Sequence, residues 1–137
     1  MCWPQPIKIS CMSIYVKLPT GDFDIEDLRE FYADLKDSSF KFSVWKSRPA
    51  LIEKNRKTFW LYTGQNYDPK FIDLVEDGWT QDHCYVCSKT ITDTKKEYTE
   101  TSGYFNGFDW VCKDCYEIVI DTDDLEKRLS ELPQYEK

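Results

Sequence analysis

The chain has 137 residues, 41% apolar and 16% aromatic, with enough Phe, Tyr and Trp to build a core, so a wholly disordered chain is excluded. No apolar run exceeds a few residues, as at 59–62, which excludes a transmembrane helix and a secretory apolar region; a soluble, cytoplasmic protein is expected. A net charge of −7 sits badly with nucleic-acid binding, whose domains usually carry an excess of positive charge.

In chain order, residues 1–11 hold two prolines and little pattern. Met12 is a second candidate start, in which case Cys2 and Cys11 are incidental thiols, expected to stay unbridged in a reducing interior. From Met12 the sequence MSIYVKLP alternates as a strand, and Pro19, Thr20 and Gly21 turn the chain. Asp22 or Asp24 then caps a helix whose apolar positions, Ile25, Leu28, Phe31, Tyr32 and Leu35, share one face. Phe40, Phe42 and Val44 alternate with Lys41 and Ser43, predicting a strand that ends near Arg48 and Pro49; the β-branched and aromatic run 58–63 predicts a second, closed by Gly64. Asp68 followed by Pro69 predicts a short helix over 70–76, with Phe71, Leu74 and Val75 facing inward and Gly78 ending it. Residues 1–76 therefore read as a small mixed sheet covered by one or two helices, without an internal repeat.

The strongest chemical signal lies in residues 77–137. Cys84-Tyr-Val-Cys87 and Cys112-Lys-Asp-Cys115 are two CxxC pairs with 24 residues between them. A CxxC turn sets two sulfurs on one side of a tight loop with backbone N–H groups aimed at them, so each pair offers half a tetrahedron and two pairs close it. One structural Zn²⁺ is the expected cofactor, with mononuclear iron second. The rivals are thiol redox chemistry at one pair, for which neither pair follows a strand in a βαβ pattern, and disulfides. Between the pairs, 89–92 and 96–101 alternate as short strands, and 103–107 supplies turn residues before Trp110 and Val111. After Cys115 the run Tyr116, Ile118, Val119, Ile120 suits a helix opening at the second pair. Asp121, Asp123 and Asp124 read as N-terminal charge of a last helix carrying Leu125, Leu129 and Leu132, not as general acid or base groups.

A knuckle, a hairpin and a CxxC that opens a helix resemble the treble-clef zinc finger; a zinc ribbon is the neighbouring possibility, disfavoured by the helical run after Cys112. The residues Asp82-His-Cys84-x-x-Cys87 with Trp110-x-Cys112-x-x-Cys115-Tyr116 further resemble a group of small, mostly uncharacterised bacterial proteins sharing DHCxxC and WxCxxC followed by Tyr or Phe. The resemblance covers roughly the last third of the chain and implies a metal-stabilised segment there, and no reaction. The expected fold class is thus α+β, a small mixed sheet with one or two helices (1–76) plus a C-terminal four-cysteine, treble-clef-like zinc module (77–137), as two units or on one shared core.

A four-thiolate shell leaves no open coordination position, so its role is to fold a segment too short to bury a core of its own. His83, the only histidine, adjoins Cys84 and is expected beside the shell or on the surface, because adjacent residues seldom ligate one ion. With one histidine there is no HExxH; there is also no GxSxG, P-loop or GxGxxG, and the nucleobase-deaminase pattern fails because neither CxxC follows proline. A binder, not an enzyme, is expected.

Its partner is argued from charge and aromatics. Residues 1–76 carry 11 basic and 11 acidic side chains, whereas 77–137 carry 7 and 14. The acidic part suits a basic protein, as an inhibitor or immunity-type protein would. Tyr104, Phe105, Phe108 and Asp109 fall in a predicted turn, where exposed aromatics favour protein contact; Trp45, Trp60, Trp79 and Trp110 are expected in the core. The alternative is a nucleic-acid-binding zinc module using the basic segment 41–57, with Lys46, Arg48, Lys54, Arg56 and Lys57 as its patch.

Overall fold

A computed structural model describes residues 13–137; the expectations for Cys2, Cys11 and the choice between Met1 and Met12 lie outside the described residues. The architecture is α+β, with four three-stranded sheets and short helices. Strands β1 (Ile14–Leu18) and β2 (Gly21–Asp24) form a hairpin, the expected turn at Pro19–Thr20 joining them. Asp24 caps α1 (Ile25–Leu35) through a side-chain oxygen that accepts from the Glu26 N–H, and Ile25, Leu28 and Leu35 are buried as its apolar face.

Strand β3 (Lys41–Val44) stops earlier than expected, and its inward positions are the other set: Phe42 and Val44 face solvent while Trp45, just beyond the strand, is 1% exposed. Proline does not end the next segment. Strand β4 (Arg48–Glu53) runs through Pro49 because the register shifts between Arg48 and Ala50, a bulge in which the missing N–H costs nothing and the Pro49 carbonyl accepts from the Tyr62 N–H. Strand β5 (Phe59–Leu61), within the strand expected over 58–63, pairs with it.

The helix expected over 70–76 is a strand, β6 (Ile72–Trp79). Asp68 does act as a cap, its carboxylate accepting from the Lys70 N–H and its carbonyl from Phe71 and Ile72. After that one turn, the alternation of Ile72, Leu74 and Asp73, Val75 lets the chain pair along β4 in register. A cap signal opens one turn and a full helix equally well, and here the ladder available in the sheet wins. Phe71 is exposed rather than inward, and Leu74 only half-covered. Gly78 is needed at the end of this sheet: a Cβ there would stand 3.0–3.1 Å from the Val75, Ala50 and Ile52 side chains.

The chain continues through β7 (Gln81–His83), β8 (Thr90–Thr92), β9 (Thr99–Glu100), β10 (Ser102–Phe105) and β11 (Trp110–Val111), then α2 (Lys113–Cys115), which runs on as a π-helical turn (Tyr116–Ile120). Helix α3 (Leu125–Ser130) follows, capped by Asp124, whose carboxylate accepts from the Lys127 N–H, and β12 (Gln134–Glu136) pairs with β1. Strands from both parts of the chain share a sheet, since β3 pairs with β10. They share a core too: Val16, Leu18, Leu28 and Leu35 are buried in one cluster with Cys84, Cys112, Cys115, Val111, Val119 and Leu129. A second, smaller cluster is built on Trp45, Ile91 and Trp110, with Trp79 and Phe105 against it. Neither cluster includes Ala50, Leu51 or Ile52, so the β5-β4-β6 sheet buries its own centre and forms an arm that meets the second cluster through Trp79 at the end of β6.

Candidate metal centre

The four cysteines converge. One ligand atom from each of Cys84, Cys87, Cys112 and Cys115 lies within 4.8 Å of all the others, and the Cys87 and Cys112 sulfurs are 3.8 Å apart. The first pair sits on a tight turn between β7 and β8, closed by Ser88 N–H to the Cys84 carbonyl and by Cys84 N–H to the Lys89 carbonyl; Ser88 takes the left-handed conformation, φ 64°, that lets the turn close. The second pair lies at the start of α2, with Cys112 as its N-cap. A parallel bridge between Cys84 and Trp110, with Tyr85 N–H donating to the Trp110 carbonyl, holds the two turns together.

Two backbone donors point at sulfur, and the Cys87 N–H is the one the CxxC spacing predicts. Cys112 N–H donates to Cys84 Sγ at 3.2 Å and Cys87 N–H donates to the same sulfur at 3.5 Å. Hydrogen bonds from the Cys112, Cys115 and Cys87 side chains, together with that Cys87 N–H, hold the Cys84 thiol well below the ordinary thiol range. The same closeness to Cys112, Cys84 and Cys87, with burial, pushes Cys115 far up. Four sulfurs this close cannot all ionise against one another; a cation among them is what makes four thiolates compatible. Cys84, Cys112 and Cys115 are 0–2% exposed, whereas Cys87 is partly exposed and borders a cavity with Thr20, Lys89, Tyr98 and Asp114.

Thr20 is a neighbour that sequence reasoning missed. Its Oγ1 is 3.3 Å from Cys115 Sγ, 95 residues away in sequence. The only local signal at Thr20 is a turn, and nothing in a turn says which sulfur it will face.

The other expected site residues are placed differently. His83 is exposed at the end of β7 and is not among the sulfurs. Tyr104 and Phe105 are not on a loop tip: both lie in β10, where Tyr104 stacks on Tyr116 at 3.8 Å and Phe105 on Trp110 at 4.7 Å. Asp109 is half-buried, and of this group Phe108 alone projects, 88% exposed. Of the basic segment, Lys54 and Arg56 both pair with Asp73, and Arg48 lies over the Phe105 ring; Lys46 and Lys57 are exposed. Trp45 and Trp110 are buried as expected, whereas Trp60 is 41% exposed on the arm.

No protein-family model, curated protein or solved structure matches this chain. What stands on its own geometry is an α+β protein with a four-cysteine cluster able to hold a metal ion. None of the helices is long and apolar enough to cross a membrane among the described residues.

Proposed function

We propose that the cluster holds one structural Zn²⁺ and that the chain is a cytoplasmic protein-interaction module for a basic partner, not an enzyme. The donor set supports zinc: four thiolates about 2.3 Å from a central ion stand about 3.8 Å from one another, the spacing of Cys87 and Cys112. The order of elements around the site, a knuckle, short strands and a CxxC at a helix start, supports a treble-clef-like module. A closed sulfur shell within the shared core leaves no coordination position for substrate, and its effect is on folding.

One observation carries the interaction reading. The β5-β4-β6 arm, joined to the second cluster through Trp79 at the end of β6, exposes Phe59, Trp60 and Leu74, with Phe71 exposed just before β6. Trp60 and Leu74, both opposite Leu51, share one face of that sheet and Phe59 lies on the other; exposed apolar side chains on a sheet are a usual mark of protein contact. The acidic excess of residues 77–137 favours a basic partner through steering.

The test is purification of the tagged chain from its source cells at moderate salt with nuclease added, beside a Cys112→Ser variant, with zinc measured in both. One zinc per chain, and one basic protein at unit stoichiometry that is lost with the variant, is the expected result. Nucleic acid co-purifying when nuclease is omitted, with no protein, would instead assign the interface to the basic segment.

A further inference from the structure

We propose that the cavity where β5 meets the corner between β6 and β7 receives an arginine side chain of the partner. This rests on the reading of the chain as a binder of a basic protein, and names the group that the binder takes. The cavity measures about 340 Å³, and its lining includes Phe59, Gly78, Trp79, Asp82 and His83. Its formation depends on Gly78, where the lack of a side chain lets the corner lie against Ala50, Ile52 and Val75.

The polar group in it is unusual in its setting. Asp82 is half-buried, and each carboxylate oxygen accepts one indole N–H: Oδ2 from Trp45 at 3.0 Å and Oδ1 from Trp79 at 3.2 Å. Two neutral donors fix the carboxylate in place and leave about half of its acceptor positions free. The ion pairs among the described residues join other groups, so none of them supplies Asp82 with a cation. A partly desolvated carboxylate beside exposed aromatic surface calls for a cation that is itself weakly hydrated and flat. A guanidinium meets both conditions, stacking on an aromatic face while its N–H groups reach the carboxylate; an ammonium is more strongly hydrated and has no face to stack. Phe59 is 48% exposed, so its ring is open to such stacking.

The test uses the full, zinc-loaded chain labelled with ¹⁵N, titrated with L-arginine amide and, separately, with L-citrulline amide, its neutral isostere. The indole N–H signals of Trp79 and Trp45 should move saturably with arginine amide and stay still with citrulline amide. Trp110, whose indole N–H is buried without a partner, serves as the unmoved reference. Phe59→Ala, at a half-exposed position, should leave the unliganded spectrum in place and weaken the arginine response about threefold or more, the loss expected for one cation–π contact. Asp82→Asn should abolish it. Equal responses to the two amides, a flat arginine titration, or an unaltered affinity in Phe59→Ala would overturn the proposal. The two failures are distinguishable: a captured basic partner with a flat titration removes the pocket alone, whereas saturable arginine binding with no captured protein leaves a guanidinium site and removes the partner from both readings.

Discussion

Cys115→Ser is the perturbation in which the reasoning about the metal centre is most exposed. Cys115 is fully buried in the cluster that also contains Val16, Leu28 and Leu35 from the N-terminal strand and helix. A four-thiolate zinc site contributes on the order of 10 kcal/mol to folding, while the net stability of a domain is about 5–15 kcal/mol, so losing the site would remove an amount comparable to the whole net stability. Because the sulfurs lie inside the shared cluster, the loss should not be confined to residues 77–137; the hairpin and α1 should melt with them. Even a loss of about 3 kcal/mol would move a urea midpoint by roughly 1 M or more, given a slope of about 1–3 kcal/mol per molar. The assay is urea unfolding followed by tryptophan emission and, in parallel, by far-ultraviolet circular dichroism, with zinc content measured on the same samples. Chelation of the wild-type chain should reproduce the variant. A Cys115→Ser protein that unfolds at the wild-type midpoint, or a wild-type midpoint indifferent to chelation, would refute a folding role for the site. Two separated transitions would refute the shared core.

Other outcomes follow from particular contacts. In the folded, metal-loaded protein, iodoacetamide should reach Cys87 ahead of Cys84, Cys112 and Cys115, read by peptide mass spectrometry, because those three are buried and Cys87 borders a cavity. Gly103→Ala places a Cβ 2.9 Å from the Val111 carbonyl oxygen in the β10–β11 pair and should cost about 1–3 kcal/mol by thermal melting; at Gly107, where φ is +100° with open space around it, alanine should cost a similar amount, about 1–3 kcal/mol, through backbone strain alone. The Arg29 hydrogen bond tying α1 to α3 holds the Glu126 carboxyl below the ordinary carboxylate range. A depressed carboxyl contributes stability above its unfolded value and loses it as pH falls through the folded one. Glu126→Gln should therefore remove a contribution of about 0.5 kcal/mol, already discounted for solvent screening, that is present at pH 7 and fades below the ordinary glutamate range near 4.5; pH-dependent urea midpoints of the two proteins measure it.

Much of the local structure was legible because its signals are local. Asp24 capping α1, the buried face Ile25, Leu28 and Leu35, and Asp124 capping α3 all depend on residues within one or two turns of each other. The run 70–76 misled for the complementary reason: Asp68 opens a turn either way, and whether a helix or a strand continues from it depends on a ladder with β4, which lies about 20 residues earlier. Pro49 misled likewise, since a proline ends a strand only where its N–H is wanted, and the bulge at that position is a property of the pair of strands.

The site divides along the same line. The sequence by itself determined the two sulfur pairs, because a CxxC turn positions two thiols by short-range geometry whatever the rest of the chain does; within the first pair the Cys87 N–H meets Cys84 Sγ as that turn requires, whereas the Cys112 N–H reaches the same sulfur from 28 residues away. Tertiary structure alone decided that Thr20 touches Cys115, that Cys87 is the sulfur left partly open, that Tyr104 and Phe105 stack on Tyr116 and Trp110, and that Asp82, which lines a cavity, accepts from two tryptophans. Each of these joins residues whose separation in the chain carries no local signal, and such contacts are fixed only when the buried clusters close and choose which surfaces meet.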